Sequence, residues 1–160
     1  MTIAVDTKIL LDLLIPNAQF FDVSIKTLEM AAAQGQLILC EAVYAELASQ
    51  FDAEDEIARF LNDTDMLLLP ATPEVLFKAS RAWHTFNRRR QKKLTCSSCG
   101  HLNSLPVCSA CGHNMPIRQH IISDFLIGAH AETLADYLLT RDRGFYKTYF
   151  KGLKLFPLNA

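Results

Sequence analysis

With 160 residues, half of them apolar and 21% charged, the chain has the size and composition of one ordinary globular domain and is neither disordered nor fibrous. Its formal net charge of −1 excludes a uniformly basic nucleic-acid binder, so any such role falls to local clusters. No stretch approaches the ~20 apolar residues that cross a bilayer, and Asp6 and Asp12 interrupt the start before a secretory signal can form; the expected location is the reducing cytoplasm.

The apolar run Ile3-Ala4-Val5, ending at Asp6, predicts a buried strand. A short helix follows over 8–14 and stops near Pro16. Residues 22–34 predict a second helix, with Gly35 as its C-terminal stop. A strand at 36–39 leads into a helix over 41–50, with Val43, Leu47 and Ala48 on one side and Glu46 near the apolar edge. Another helix spans 55–61, and a third strand, 66–69, is closed by Pro70.

Pro73 suits the first turn of a long helix reaching about residue 90, with Val75, Leu76, Ala79 and Trp83 facing inward. A cysteine-rich segment comes next, then an apolar helix with Asp124 in its first turns. A strand at 137–139 precedes Thr140-Arg141-Asp142 and a basic, aromatic helical turn, and residues 154–156 predict a fifth strand. Strands alternating with helices imply a central parallel sheet covered on both faces, an α/β fold of three α/β/α layers. The expected organisation is one domain over 1–160 with a small insertion at 94–115.

Four carboxylates fall where this architecture brings them toward one end of the sheet. Asp6 ends the first strand, Asp142 follows the fourth, Asp124 opens the helix before it, and Glu46 lies on the helix after the second strand. Singly, each has a structural explanation: helix capping for Asp6 and Asp124, a turn for Asp142, a solvated helix position for Glu46. As a set they need more, because two carboxylates about 4 Å apart repel by about 4 kcal/mol at an effective dielectric of 20. A cation or a proton must offset that, and Mg²⁺ prefers such oxygen ligands. Acids at the carboxyl ends of strands also stand where open α/β sheets bind ligands.

The segments Val5-Asp6-Thr7, Tyr44-Ala45-Glu46-Leu47 and Asp124-Phe125-Leu126-Ile127-Gly128-Ala129-His130-Ala131, with Leu138-Leu139-Thr140-Arg141-Asp142-Arg143-Gly144-Phe145-Tyr146, resemble the PIN-domain ribonucleases, and among them the VapC-like toxins. The resemblance covers nearly all of the chain outside the cysteine-rich segment. It implies a Mg²⁺- or Mn²⁺-dependent endoribonuclease with Asp6, Glu46, Asp124 and Asp142 as its acids, leaving a 3′-hydroxyl and a 5′-phosphate. Asp6, Asp124 and Asp142 would hold the ion, and Thr7 and Thr140 would support the acids by hydrogen bonds. It also implies homodimers and a small cognate antitoxin lying across the groove. Lys8 departs from the pattern, which commonly has Asn there, and is left outside the expected site. Asp12 and Asp136 recur in the pattern as structural or peripheral residues.

Cys96-Ser-Ser-Cys99-Gly-His and Cys108-Ser-Ala-Cys111-Gly-His are two copies of one knuckle. Four thiolates so spaced suit a closed tetrahedral Zn²⁺ site, with iron in a rubredoxin-like site or disulfides as alternatives. A closed four-sulfur site has no open position for chemistry, so its role is structural, a small zinc-ribbon-like insertion ordered by its metal. His101, His113 and the isolated Cys40 need no role in it, and His130 reads as a core histidine. The basic flank Arg88, Arg89, Arg90, Lys92 and Lys93 is a candidate RNA-binding stem. The rival function is a non-catalytic RNA- or protein-binding module working through its zinc knuckle. Phosphoryl transfer through a phospho-aspartate is disfavoured, since no second acid follows two residues after Asp6.

Overall fold

The computed structural model describes residues 1–15, 20–89, 93–95, 101–115 and 121–158. In chain order its elements are β1 (Thr2–Val5), α1 (Thr7–Leu14), α2 (Phe21–Gln34), β2 (Gln36–Leu39), α3 (Glu41–Ala48), α4 (Glu54–Asp63), β3 (Met66–Leu68), α5 (Pro73–Arg89), β4 (Lys93–Thr95), β5 (Leu102–Ser104), α6 (Ile122–Leu134), β6 (Tyr137–Leu139) and α7 (Arg143–Tyr149). The main sheet is parallel, in the order β3-β2-β1-β6. Ile3, Ala4 and Val5 are all buried. Successive residues of a strand point to opposite faces, so such a run requires helices over both faces of the sheet. The result is an α/β fold with a central parallel sheet, as expected.

Several details differ from expectation, each for an identifiable reason. Gly35 does end α2, but with φ of 176° it is extended rather than left-handed. A side chain there would collide with the carbonyl of Met1, which accepts the Gln36 amide at 2.9 Å; the glycine admits the start of the chain against α2. Leu76 points outward, 47% exposed, and the buried stripe of α5 runs through Val75 and Ala79 to the half-buried Ala82, Trp83 and Phe86. The expected fifth strand contracts to one parallel bridge, Leu138 to Leu155, held by Leu138 N–H to Lys154 O (2.9 Å) and Phe156 N–H to Leu138 O (2.8 Å).

Between α5 and α6 the chain makes an antiparallel hairpin of β4 and β5 and an antiparallel bridge from Val107 to Asn114. Cysteine spacing alone does not specify that hairpin. The two helices are joined by rings. Trp83 and Phe86 lie 5.2 and 5.4 Å from Phe125, and Phe145 and Tyr149 pack on Phe125 from α7 at 5.0 and 5.4 Å. Farther along, Lys78 pairs with Glu132 at 3.3 Å, so α5 and α6 run antiparallel and the Arg88 end of one meets the Asp124 end of the other.

Candidate active site

Adjacency of β1 and β6 decides the geometry. The amide of Asp6 donates to Leu139 O at 3.0 Å, which sets the residue after β1 beside the residues after β6. Thr140 is fully buried, and its hydroxyl donates to Asp6 Oδ2 at 2.5 Å while accepting the Asp142 amide at 3.0 Å. On the other side of β1, α3 follows β2, and there the Thr7 hydroxyl donates to Glu46 Oε2 at 2.5 Å. Each threonine thus fixes one carboxylate. The N-terminus of α6 brings Asp124, whose Oδ2 accepts the Ile121 amide at 2.9 Å.

Asp6, Thr7, Glu46 and Asp124 line one cleft of about 330 Å³, with Lys8 and Leu11 on the same wall. Asp142 stands beside it, capping α7 through the Phe145 amide (3.3 Å) and pairing with Lys8 Nζ at 3.4 Å. The capping explanation therefore holds in part for Asp124, and Asp142, expected as a turn residue, caps α7. It fails for Asp6, which precedes α1 without capping it. Its carboxylate is committed to Thr140 instead.

Burial raises the proton affinity of Asp6, moving its pKa from 3.8 to about 6. The Thr140 hydrogen bond and the positive charge of Lys8 oppose that shift, and the negative charge of Asp124 adds to it. Tyr146, 1% exposed, reports the same convergence. Burial raises its pKa first, and the charges of Asp6, Asp124 and Asp142 raise it further. Sequence reasoning passed over Tyr146; its place four residues after Asp142, on the buried side of α7, is the signal that finds it. Among the described residues, no three carboxylate, histidine or cysteine groups already stand close enough to enclose an ion. The acids face one cleft from separate elements, and their donor chemistry is oxygen only, the kind that suits a hard divalent cation.

The remaining candidates separate cleanly. Asp12 is buried and structural, holding Ser24 Oγ at 2.6 Å and Arg141 at 2.8 Å, with the Arg141 guanidinium 4.0 Å over the Phe20 ring. Asp136 accepts the Thr2 amide at 2.8 Å and ties the strand ends together. His130 is a core histidine, its Nε2 bonded to Leu69 O at 2.7 Å and its pKa lowered by burial. Cys40 is buried.

Arg88 is exposed and lines a larger groove of about 810 Å³ along α5 with Phe77, Arg81 and His84, three residues the sequence reading did not single out. Residues at i, i+4, i+7 and i+11 share a helix face, which is the signal for that stripe. Arg90 and Lys92 lie outside the described residues, and for Arg89 and Lys93 only the backbone is described.

Of the cysteine knuckles, Cys96 and Cys99 lie outside the described residues. The second forms a tight turn. The Gly112 amide donates to Cys108 O at 2.8 Å and the Cys108 amide to His113 O at 2.9 Å, with Gly112 at φ +72°, a left-handed position that favours glycine. The amides of Cys111 and Ala110, and the Cys111 thiol, point at Cys108 Sγ and hold its pKa below the usual thiol value. His101 and His113 are exposed.

Comparison with known proteins adds the family. The PIN domain model matches residues 3–151, whereas no curated protein sequence matches the chain. Among solved structures, the chain is similar to one in the crystal structure of VapBC2 from Rickettsia felis bound to a DNA fragment from their promoter. Identity is 16% and the TM-score 0.62, over 99% of this chain and 100% of that one. At that identity the likeness is one of fold.

Proposed function

We propose, from the premise that the chain belongs to the PIN domain family, that it is a Mg²⁺- or Mn²⁺-dependent endoribonuclease, the toxin of a toxin–antitoxin pair in the reducing cytoplasm. The observation that carries the reading is the shared cleft of Asp6, Glu46 and Asp124 at the carboxyl end of β1, with Asp142 at the end of the adjacent strand. Elevated proton affinity in a buried, threonine-anchored Asp6 is what a carboxylate placed to meet a cation shows when none offsets its charge. Asp6, Asp124 and Asp142 would hold the ion, which supplies charge stabilisation and an activated water when bound. Thr140 keeps the Asp6 oxygens aimed into the cleft, and Thr7 does so for Glu46. Glu46, half-buried and outside the three ion-holding acids, is suited to orienting the attacking water. By resemblance to the PIN-domain ribonucleases, attack at phosphorus would leave a 3′-hydroxyl and a 5′-phosphate.

The rest of the reading follows the same division of labour. One PIN-like domain spans 1–160, and the segment 94–115 is a zinc-knuckle insertion bound through Cys96, Cys99, Cys108 and Cys111. Support comes from the tight Cys108–Gly112 turn and from a Cys108 thiol whose pKa is lowered, which favours the thiolate that metal ligation uses. Arg88, Arg89, Arg90, Lys92 and Lys93, with Arg81 and His84 on the same helix, would contact RNA phosphates. The VapBC2 likeness supports a cognate antitoxin as partner, and the protein would act as a homodimer. The basic, Phe77-bearing groove on α5 favours one rival: a binding module with no catalysis. Clustered acids beside an RNA path argue against it.

Incubation of structured RNAs with Mg²⁺ or Mn²⁺ separates the two, with Asp6→Asn, Asp124→Asn and EDTA as controls. Cation-dependent cleavage lost in both variants is expected. Cleavage surviving either substitution removes the mechanism, and tight binding without cleavage establishes the module. Because EDTA also strips zinc, Cys96→Ser serves as the control for the insertion.

A further inference from the structure

We propose that Lys8 is a resident counter-ion of the acidic cleft, bonded to Asp142 and competing with the divalent cation for that carboxylate. The inference rests on reading the cleft as a cation site, and it concerns a residue outside the acids themselves. Lys8 lines the cleft that holds Asp6, Glu46 and Asp124, and its ammonium lies 3.4 Å from Asp142 Oδ2. Its positive charge is felt at Asp6. It therefore touches or faces acids arriving from β1, from α6 and from the end of β6.

The nearby arginines are engaged elsewhere: Arg141 with Asp12 and Arg143 with the Phe156 carbonyl at 3.0 Å. The ion pair is not there for stability. The Lys8 side chain is 49% exposed and Asp142 26%, and such pairs contribute little to folding. Its consequence is electrostatic. A single positive charge fixed among carboxylates lowers their affinity for a second, divalent one, and the long flexible stem lets the ammonium leave when a better anion arrives. A substrate phosphate is such an anion. RNA would then draw Lys8 off Asp142 and free that carboxylate for the ion, so cation and substrate binding reinforce each other.

Titration calorimetry with Mn²⁺ tests this on the full chain, comparing wild type with Lys8→Met, Lys8→Arg and Asp124→Asn, and melting temperatures confirm that all four fold. Lys8→Met removes the charge and keeps the stem, and should bind Mn²⁺ about tenfold more tightly, taking water-like screening between a single and a double charge about 5 Å apart. Lys8→Arg keeps the charge and should match wild type. Asp124→Asn should abolish the binding. A second titration adds an RNA made uncleavable by a methylene group in place of the scissile 3′-oxygen, which should tighten Mn²⁺ binding to wild type and leave Lys8→Met unchanged.

Equal or weaker binding by Lys8→Met overturns the proposal while leaving the cation site intact, as does equal tightening by Met and Arg. Binding that survives Asp124→Asn, or is missing from both wild type and Lys8→Met, overturns the cation site and Lys8's role with it.

Discussion

Replacing Asp6 by Asn should make the metal-free protein more stable at neutral pH, although it removes the central acid of the site. Asp6 is 3% exposed, and burial lifts its pKa from 3.8 to about 6. The folded state therefore holds this proton more tightly than the unfolded chain. Between pH ~4 and ~6 it binds the extra proton, so the associated stability is full below pH ~4 and is lost as pH rises through ~6. The interval from 3.8 to about 6 places about 3 kcal/mol on the ionised form at pH 7.5. Asparagine retains an oxygen for the Thr140 hydroxyl but carries no charge. Its amide N–H lacks an evident partner, so the expected gain is smaller, about 2 kcal/mol.

For a chain of this length that corresponds to a melting temperature higher by about 4–8 °C. Scanning calorimetry at pH 4.5, 6.0 and 7.5 in cation-free buffer reads it directly. The variant should exceed wild type at pH 7.5 and converge on it at pH 4.5. Mg²⁺ should then raise the melting temperature of wild type and not of the variant. Equal melting temperatures at pH 7.5, or a variant less stable there, would refute the claim that Asp6 is a strained charge awaiting a cation.

Three further outcomes test other parts of the structure. Gly128→Ala gains about 1 kcal/mol of helix propensity, but its methyl would overlap the ring of buried Phe150. Overpacking costs more than that gain, so a net loss of about 2 kcal/mol is expected by urea denaturation; a more stable variant would show that Phe150 yields freely. Asp12→Ala leaves Ser24 and Arg141 without their shared carboxylate and should cost about 3 kcal/mol, read by the same assay, with Arg141→Met adding little on top. Cys108→Ser should lower zinc content, measured by mass spectrometry, from one ion per chain to almost none, while Gly112→Ala, strained at φ +72°, weakens zinc retention without abolishing it.

The parts of the fold legible from sequence were those that local periodicity encodes. Continuous apolar runs such as Ile3–Val5 mark doubly covered parallel strands, and they place Asp6 at a strand end. The mistaken details depend on contacts between distant segments. Gly35 is the helix stop its neighbours predict, but only the approach of Met1 explains its extended backbone. Leu76 satisfies an apolar spacing as well as Val75 does, yet Val75 is buried in the core and Leu76 faces solvent. Residues 154–156 have strand character, but one bridge to Leu138 is all the pairing β6 receives from them.

At the site, the four acids and the two supporting threonines are legible in the sequence, but which threonine serves which acid is not. That Thr140 serves Asp6 and Thr7 serves Glu46 follows from the order β2-β1-β6, which no single segment contains. Lys8, set aside as a departure from a pattern, stands inside the cleft because α1 starts immediately after Asp6.

The ring cluster of Trp83, Phe86, Phe125, Phe145 and Tyr149 has a consequence for the segment between α5 and α6. Two stems already pinned together make everything between them a loop whose closure is prepaid. Lengthening such a loop then costs only about 0.6 kcal/mol for each doubling. Phe125 is also the residue next to Asp124, so the pin that closes the stems fixes the first turn of α6 as well. Whatever the intervening arm does, whether it grips a partner or is exchanged for another of different length, the strain stops at the rings. The carboxylate is anchored to the body of the protein, and the arm is a replaceable fitting.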